Sequence, residues 1–418
     1  MKLVNKLTLV FIFCLNSLLS FSQWQVVTNG VYPNLLDIDF PSVDTGYICG
    51  DHFILKSIDG GNNWNQITIP FNLKSIDFPT NNIGYGCGPN KTIVKTIDGG
   101  ITWDTLSVPF LSNQNLYFNS ITFKDSLTGF IAVGYFYYDF FSMSAYREGY
   151  IVKTIDGGSN WQQVYSHPKE FRKIFLIENS NTLYCSGGTW GPEGNENILV
   201  KSIDFGQNWT QIGLPTTELI QSIHCIDETN TSFIGGRNFF LSSDSTNTLD
   251  MYYADSLNIF EDCILINQNN LYIVGRNFGL YKYSTINQNI EKTQIGSLTN
   301  NLLDIEMLSN GVGFIVGSSG IILKNDSLLI TGIEKNENPL FSDLFYPNPT
   351  SGLINIPLND YYSQVNVTLS NVIGEILHEF RYKNQNLISI DLSNYPKGIY
   401  FISVKIKEQT QILKGIKD

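Results

Sequence analysis

The stretch KSIDGGNNW (residues 56–64) returns as KTIDGGITW (95–103), KTIDGGSNW (153–161) and KSIDFGQNW (201–209). Each copy follows an apolar run and precedes a strand-like segment, so the phrase is read as a turn between two β-strands. Copies that recur after about 40–60 residues are typical of a repeat protein built from one supersecondary unit. The repeat therefore decides the fold class before any other feature.

The phrase resembles the Asp-box, S/T-x-D-x-G-x-x-W, a β-hairpin turn found in β-propellers. Four copies in identical contexts favour a scaffold role, because catalysis needs one residue placed once. In that interpretation the Asp accepts backbone N–H bonds, the glycines supply positive φ, and the Trp packs between blades. The alternative is that the carboxylates act on a substrate. The Asp-box residues are Asp59, Trp64, Asp98, Trp103, Asp156, Trp161, Asp204 and Trp209.

Seven units with one strand pattern can be aligned, of which the last three lack the Trp and most of the Gly-Gly turn. Four-stranded units of this kind form the blades of a β-propeller. Residues 328–330 make a poor last strand, so residues 24–27 are expected to complete the seventh blade and close the ring, which removes exposed sheet edges. The predicted fold class is all-β, a seven-bladed β-propeller followed by a small C-terminal β-sandwich.

The chain ends indicate export. Residues 1–22 are typical of a signal peptide, with Lys2 and Lys6 before an apolar core and a small-x-small site at residues 20–22. Cys14 lacks the small neighbours of a lipoprotein signal, so lipidation is set aside, and no later segment reaches membrane length. The predicted boundaries are 1–22 for the signal peptide, 23–333 for the propeller, 334–340 for a linker and 341–418 for the last domain.

The C-terminal segment contains, in order, YPNPTSG (346–352), VNVTLSNVIGEIL (365–377) and ISIDLSNYPKGIYFISVK (388–405). These motifs resemble the type A C-terminal sorting domain of the type IX secretion system of Bacteroidetes. The resemblance implies a small β-sandwich that the secretion machinery recognises at the outer membrane and commonly removes. It also implies a secreted or surface-attached protein whose residues 341–418 contact that machinery. An ordinary appended β-sandwich with an adhesive role is the alternative.

Composition excludes several classes of function. The formal net charge is −12, and it becomes −14 without residues 1–22, which contain two Lys and no acidic residue. Nucleic acid needs a positive surface and is a poor ligand for such a protein. There is no CxxC pair and the four His are scattered, so neither metal nor cofactor is predicted. Five cysteines are expected to be free and buried: Cys49, Cys87, Cys185, Cys225 and Cys263.

Two long connections, at residues 135–149 and 189–197, lie between the second and third strands of their units, on the face opposite the Asp-box turns. We call the two faces the Asp-box face and the arginine face, because all four propeller arginines map to the latter. Aromatic rings anchor sugars or protein partners, and arginines bind carboxylates and phosphates. The alternatives are that the rings fold back into a local cluster and that the arginines pair with Glu148, Glu170 or Glu218. The candidate binding residues are Tyr135, Tyr137, Tyr138, Arg147, Arg172, Trp190, Arg237 and Arg276.

Residues 24–333 resemble the photosystem II assembly-factor-like family, whose propellers bind partner proteins and are not enzymes. They also resemble Asp-box glycosidases such as sialidases and xyloglucan hydrolases, but the Arg-Ile-Pro motif of sialidases is missing and no catalytic residue is assigned. The prediction is an exported non-catalytic propeller that binds a protein or glycan; the alternative is a secreted glycoside hydrolase. The carboxylates that could serve such an enzyme are Asp51, Asp139, Glu148, Glu193 and Glu196.

Overall fold

The computed structural model describes residues 24–28, 32–109, 111, 116–139, 144–189, 196–216, 218–253, 259–295, 297–326, 350–371, 376–406 and 409–417. The predicted signal peptide and linker lie outside these ranges. The chain divides into two compact units, one ending at Thr331 and the other comprising Gly332–Asp418. Each unit is considered separately below.

The first unit is built from β-strands that form seven sheets among the described residues. The first three sheets, in chain order, are sheet 1 with β2 (Leu35–Asp39), β3 (Gly46–Ser57) and β4 (Asn65–Asn72), sheet 2 with β5 (Ser75–Asp77), β6 (Gly84–Cys87), β7 (Ile93–Thr96) and β8 (Asp104–Thr105), and sheet 3 with β9 (Tyr117–Phe123), β10 (Gly129–Asp139), β11 (Ser144–Thr154) and β12 (Gln162–His167). The next three are sheet 4 with β13 (Glu170–Leu176), β14 (Leu183–Thr189), β15 (Glu196–Ser202) and β16 (Thr210–Gln211), sheet 5 with β17 (Ile220–Cys225), β18 (Thr231–Gly235), β19 (Asn238–Ser242) and β20 (Asp250–Tyr253), and sheet 6 with β21 (Phe260–Asn267), β22 (Asn270–Gly275), β23 (Gly279–Ser284) and β24 (Asn289–Thr293). Sheet 7 combines the N-terminal strand β1 (Gln25–Thr28) with β25 (Leu302–Met307), β26 (Gly313–Gly317) and β27 (Ile322–Asn325). A 3₁₀ turn, Ser318–Gly320, connects β26 to β27.

The first strands of successive sheets contact one another from β2 through β5, β9, β13, β17 and β21 to β25, and β25 contacts β2 again. This order closes a ring around a central channel. The closure uses the N-terminal strand, because β1 pairs antiparallel with β27 and places Gln25 opposite Lys324. The prediction that residues 24–27 complete the last sheet is confirmed.

Apolar clusters lie between neighbouring sheets and hold the ring together. Tyr47 of sheet 1 stacks on Phe78 of sheet 2 at 3.6 Å between ring centroids, and Tyr85 stacks on Phe123 of sheet 3 at the same distance. Large aromatic rings bury the most apolar surface per residue, so these pairs are main contributors to cohesion between sheets. All five cysteines of the mature chain are free and buried, as predicted.

The long connection predicted at residues 135–149 is largely not a loop. Strands β10 and β11 pair continuously from Gly129 opposite Thr154 as far as Asp139 opposite Ser144. Residues 135–144 contain neither Gly nor Pro and are rich in Tyr and Phe, which favour strand over turn. The prediction of a loop is wrong for this segment, which forms a long β-hairpin on the arginine face.

The second unit has two sheets, β28–β31 and β30–β29–β32–β33. Both contribute to one apolar core, in which Ile356 and Ile390 of the first sheet lie with Val367 and Ile402 of the second. This is the small β-sandwich that the sequence predicts. The strands are β28 (Leu353–Tyr362), β29 (Val365–Ser370), β30 (Ile376–Tyr382), β31 (Gln385–Asp391), β32 (Gly398–Ile406) and β33 (Gln409–Lys417).

Candidate functional site

The Asp-box carboxylates are engaged within their own turns. Oδ1 of Asp59 accepts the backbone N–H of Asn62 at 3.1 Å and of Asn63 at 2.9 Å, and Ser57 Oγ donates to it at 2.9 Å. Bonds from the Asn63 side chain and backbone are the main reason that the pKa of Asp59 falls to about 2. A carboxylate with these donors is fixed as a turn element. The same pattern recurs at Asp98, Asp156 and Asp204.

The Asp-box tryptophans pack between sheets. Trp64 Nε1 donates to Gly61 O at 3.1 Å, and its indole meets the ring of Phe314 in sheet 7 edge to face. Trp103 and Trp161 repeat the indole bond, to Gly100 O and Gly158 O. Trp209 packs instead against Tyr165 of sheet 3. These contacts support the scaffold interpretation of the repeated phrase.

A fifth Asp-box turn, missed in the sequence, lies at residues 242–248. Asp244 Oδ1 accepts the Ser242 hydroxyl at 2.9 Å and the backbone N–H of Thr248 at 2.9 Å. Ser245 and Thr246 take the place of the two glycines and adopt φ values of 62° and 73°. The sequence contains only the S-x-D part of the Asp-box phrase at this turn, without the glycines and the Trp.

The lysine of each phrase was also missed. Lys56 Nζ donates to Gly99 O in the next sheet's turn at 2.9 Å. Because the bond runs from one sheet to the next, it links neighbouring sheets on the Asp-box face. The constant position of this lysine in the pattern I-[LV]-K-[ST] was the sequence feature that could have indicated its role. Equivalent bonds join Lys95 to Gly157 O, Lys153 to Phe205 O and Lys201 to Ser245 O.

The central channel holds charged groups that the sequence analysis did not consider. The first strands carry equivalent channel-lining residues, and these bond to the backbone of the next sheet: Asp37 Oδ2 accepts Ile76 N–H at 2.7 Å, and Asp304 Oδ2 accepts Ile38 N–H at 2.9 Å. An alignment of the first strands of all units would have found them. This layer of the channel comprises Asp37, Ser75, Ser120, Lys173, Ser222, Asp262 and Asp304.

Lys173 is the one cation of this layer among the described residues. Its Nζ lies 3.7 Å from Asp304 Oδ1 and 4.0 Å from Asp37 Oδ1. Burial alone would lower the pKa of Lys173, but the carboxylates of Asp262, Asp304 and Asp37 outweigh burial and raise it. Lys173 therefore stays charged and neutralises part of the acidic channel.

The next layer of the channel has perturbed acids. Burial raises the pKa of Asp77 to about 7 and that of Glu306 to about 8, and it lowers the pKa of His224 to about 4. His224 Nδ1 accepts Leu265 N–H at 3.2 Å, so its neutral form has a structural bond. The described residues contain no cluster of three or more His, Cys, Asp or Glu side chains suited to a metal ion.

Three of the four predicted arginines meet at one cavity on the arginine face. Arg172, Arg237 and Arg276 line a cavity of about 470 Å³ together with Glu218 and Gln221. It opens beside the channel mouth, since Arg172 and Arg276 also line the channel cavity of about 240 Å³. Arg147 is not among the lining residues; it lies in β11 opposite Phe136.

Two of these arginines have acidic neighbours. Arg172 lies 3.6 Å from Glu170, one of the acids that the alternative interpretation named, and Arg276 Nε lies 2.7 Å from Glu261. Arg237 is exposed and forms no ion pair with a carboxylate of the described chain. It is therefore the arginine with the most freedom to meet a ligand.

The long hairpin presents two tyrosines on this face. Tyr137 and Tyr146 are 50% and 52% exposed, and their rings stack at 6.2 Å between centroids. Tyr135 is half-buried against the cluster that contains Phe118 and Val133. Tyr135 thus packs into a local cluster, whereas Tyr137 and Tyr146 are exposed and available to a partner. The side chain of Tyr138 and all of Trp190 lie outside what the structure describes.

Two of the carboxylates considered for a glycosidase contact other side chains of the described chain. Glu148 accepts the Tyr150 hydroxyl at 2.9 Å, and Glu196 lies 3.1 Å from Lys169 Nζ. Asp51 is exposed on strand β3 of sheet 1. The Asp139 side chain and Glu193 lie outside the described residues.

Comparison with known proteins supports both units. Residues 344–418 match the family model "Secretion system C-terminal sorting domain", and residues 65–134 match "Photosynthesis system II assembly factor YCF48". The chain is a β-propeller followed by a secretion-system sorting domain. The sorting domain indicates export across the outer membrane, to the cell surface or beyond it. No curated protein sequence matches the chain significantly.

Solved propellers share the fold of the first unit at low sequence identity. A structure described as YCF48 bound to D1 peptide is 18% identical, with a TM-score of 0.58, and the match covers 73% of this chain and 98% of that one. YCF48 from Cyanidioschyzon merolae is 16% identical, with a TM-score of 0.55 and coverage of 72% and 98%. The WD40 propeller of Doa1 is 12% identical, with a TM-score of 0.53 and coverage of 73% and 97%. No helix in the described part of the chain is long and apolar enough to span a membrane.

Proposed function

We propose that this protein is an exported, non-catalytic β-propeller that binds a protein partner through its arginine face. The observation that carries the proposal is the cavity lined by Arg172, Arg237 and Arg276, on the same face as a hairpin with two exposed, stacked tyrosines. Arginine and tyrosine are enriched among the residues that dominate binding energy in protein interfaces. The protein as a whole is acidic and repels most anionic partners. A cavity lined by arginines therefore gives an anionic partner one place to bind.

The chemistry of the cavity favours a partner segment that carries carboxylate groups. A guanidinium forms paired hydrogen bonds with a carboxylate, and Arg237 forms no ion pair with a carboxylate of the described residues, although Glu218 lines the same cavity. A solved propeller of similar fold has a bound peptide, and we extend that mode of binding to this chain. A glycan partner would use the tyrosine pair and would not need the arginines.

Affinity capture from the outer-membrane fraction of the source bacterium tests the proposal. The baits are the wild-type protein, a Tyr137→Ala/Arg237→Ala variant and an Ile155→Ser/Ile203→Ser control on the Asp-box face, where both isoleucines are exposed. We expect the wild type and the control to retain the same protein and the double variant to lose it. Equal capture by all three baits would contradict the assignment to this face.

A hydrolysis screen tests the non-catalytic part. The purified protein is incubated with sialosides and with plant and algal polysaccharides, and released reducing sugar is measured. We expect no release, because Glu148 and Glu196, two of the carboxylates considered for such an enzyme, already contact Tyr150 and Lys169. Release of sugar would favour the glycoside hydrolase instead.

A further inference from the structure

The residue between the Ser or Thr and the Asp of the Asp-box phrase is an exposed isoleucine in four consecutive sheets. In sheets 1 to 4 the phrase reads S-I-D or T-I-D, and each isoleucine is between 67% and 72% exposed. Single exposed apolar residues are common on protein surfaces, but here one aliphatic side chain returns at the same place in neighbouring sheets of the ring. We call these residues the isoleucine arc: Ile58, Ile97, Ile155 and Ile203.

The turn does not require an isoleucine at this place. In the fifth Asp-box turn the equivalent residue is Ser243, which is exposed, and the turn keeps its bonds, since Asp244 Oδ1 accepts the Ser242 hydroxyl and the Thr248 N–H. A side chain that stays mostly exposed buries little apolar surface and therefore stabilises its own turn only weakly. The isoleucine arc is better explained by contact with another molecule than by folding.

Further aliphatic residues extend this surface into the loops between the first and second strands. These loops lie on the Asp-box face, because Gly60 N–H donates to Asp44 O at 3.0 Å and Gly157 N–H donates to Leu127 O at 2.8 Å. Leu127 is 55% exposed, and Ile101, in the Asp-box turn of sheet 2, is 68% exposed. The backbone bonds hold loop and turn together, so a partner that covers these side chains loses little affinity to ordering them.

The charged groups beside the isoleucine arc decide which partner fits. Bonds within the turns hold the pKa of Asp59, Asp98 and Asp204 at about 2, so these carboxylates are ionised at physiological pH. Lys124 is exposed, but the lysines of the phrase are half-buried and turned inward, as Lys56 Nζ is when it donates to a carbonyl of the next turn. The solvent therefore meets mainly negative charge. The acidic residues on this face of sheets 1 to 4 are Asp44, Asp59, Asp98, Asp125, Asp156, Glu178 and Asp204.

We propose that the isoleucine arc and the carboxylates beside it form an interaction surface for a basic protein, one that presents aliphatic side chains together with Lys or Arg. Aliphatic contact buries apolar surface, and complementary charge selects the partner. A second copy of this chain would bring carboxylates against carboxylates, and an anionic membrane surface would be repelled in the same way. The surface lies opposite the arginine face and is independent of the function proposed above.

Three labelled peptides of about 14 residues, roughly 46 Å long when extended, probe the whole protein by fluorescence anisotropy. One alternates Leu with Lys, one alternates Ser with Lys, and one alternates Leu with Glu. We expect the Leu–Lys peptide to bind roughly tenfold more tightly than either of the others, a difference that burial of one aliphatic side chain supplies.

The decisive variant is Ile58→Ser/Ile97→Ser/Ile155→Ser/Ile203→Ser, which gives four turns the residue that the fifth turn already has. It should stay folded, as a thermal melt checks, and should bind the Leu–Lys and Ser–Lys peptides alike. The matched control is Tyr137→Ser/Tyr146→Ser, which removes two exposed apolar side chains from the arginine face. This control should keep the preference of the wild type for the Leu–Lys peptide.

Sedimentation equilibrium and co-sedimentation with phosphatidylglycerol vesicles test the other two occupants on the same proteins. We expect neither self-association nor vesicle binding that depends on the isoleucine arc. The proposal is overturned if the three peptides bind alike, or if the fourfold variant keeps the preference for the Leu–Lys peptide. It is also overturned if the wild type forms dimers or binds the vesicles and the fourfold variant does not.

Discussion

Lys324 Nζ in the last sheet lies 2.7 Å from Oδ1 of Asn62 in the Asp-box turn of the first sheet. The contact is the counterpart of the lysine bonds between consecutive sheets, such as that from Lys56 to Gly99 O. Together with the pairing of β1 and β27, it joins residues from both ends of the first unit. Closure of the ring therefore depends on a few groups that are far apart in sequence, and we expect their removal to destabilise the whole ring.

Trp24→Ala is expected to lower the free energy of unfolding by about 3–5 kcal/mol, as for other large-to-small changes in a core. Trp24 is 4% exposed and meets Tyr272 of sheet 6 edge to face. Urea denaturation measures the change. The control is Val26→Ala in the same strand, where Val26 is 43% exposed, so that the loss should be below about 0.5 kcal/mol. Equal stability of the two variants would mean that the N-terminal strand does not close the ring.

Asp98→Asn is expected to destabilise the protein at neutral pH but not in strong acid. Bonds from the Thr102 side chain and backbone hold the folded-state pKa of Asp98 at about 2, whereas an unfolded Asp titrates near ~3.9. The stabilisation is thus present above about pH 4 and is lost as pH falls toward 2. Thermal melts of both proteins across this range check it. A gap between their melting temperatures that stays constant down to pH 2 would contradict the role of the ionised carboxylate.

The pKa of Glu306 predicts that the stability of the protein changes with pH in the opposite direction, and at higher pH. Burial raises its folded-state pKa to about 8, above the ordinary value near ~4.3. The folded protein therefore binds a proton that the unfolded chain has released, and stability falls as pH rises from about 4 to 8. Glu306→Gln, which cannot ionise, should flatten this part of the stability profile measured by chemical denaturation. A profile as steep as that of the wild type would exclude Glu306 as its source.

The sequence was sufficient where one local phrase determines one turn. The glycines and the Trp of residues 56–64 predict a scaffold turn, and the bonds of Asp59 have that form. The turn at Asp244 was missed because Ser245 and Thr246 replace the glycines, and only the folded backbone shows that they take positive φ. The hairpin at residues 135–149 was read as a loop from its length, although its Tyr and Phe residues favour strands.

Contacts that form only when the ring closes could not be predicted from local sequence patterns. Asp37 and Asp304 are 267 positions apart, yet Asp304 accepts a bond from Ile38 N–H and both carboxylates face Lys173. These channel residues could be found by aligning equivalent positions of all seven units and asking where a residue type changes.

Lys173→Met is expected to lower the free energy of unfolding by about 3 kcal/mol at pH 8, the size associated with removing one partner of a buried ion pair. The substitution removes the cation that lies within 4.0 Å of both Asp37 and Asp304. Burial already raises the pKa of both acids, so protonation as pH falls toward 5 should remove part of the loss. The control is Lys169→Met, whose partner Glu196 is 65% exposed, so that its change should stay below about 1 kcal/mol. Urea denaturation of both variants at pH 5 and pH 8 makes the comparison. A Lys173→Met deficit that is no larger than that of Lys169→Met, or that does not shrink at pH 5, would show that the lysine does not neutralise the channel.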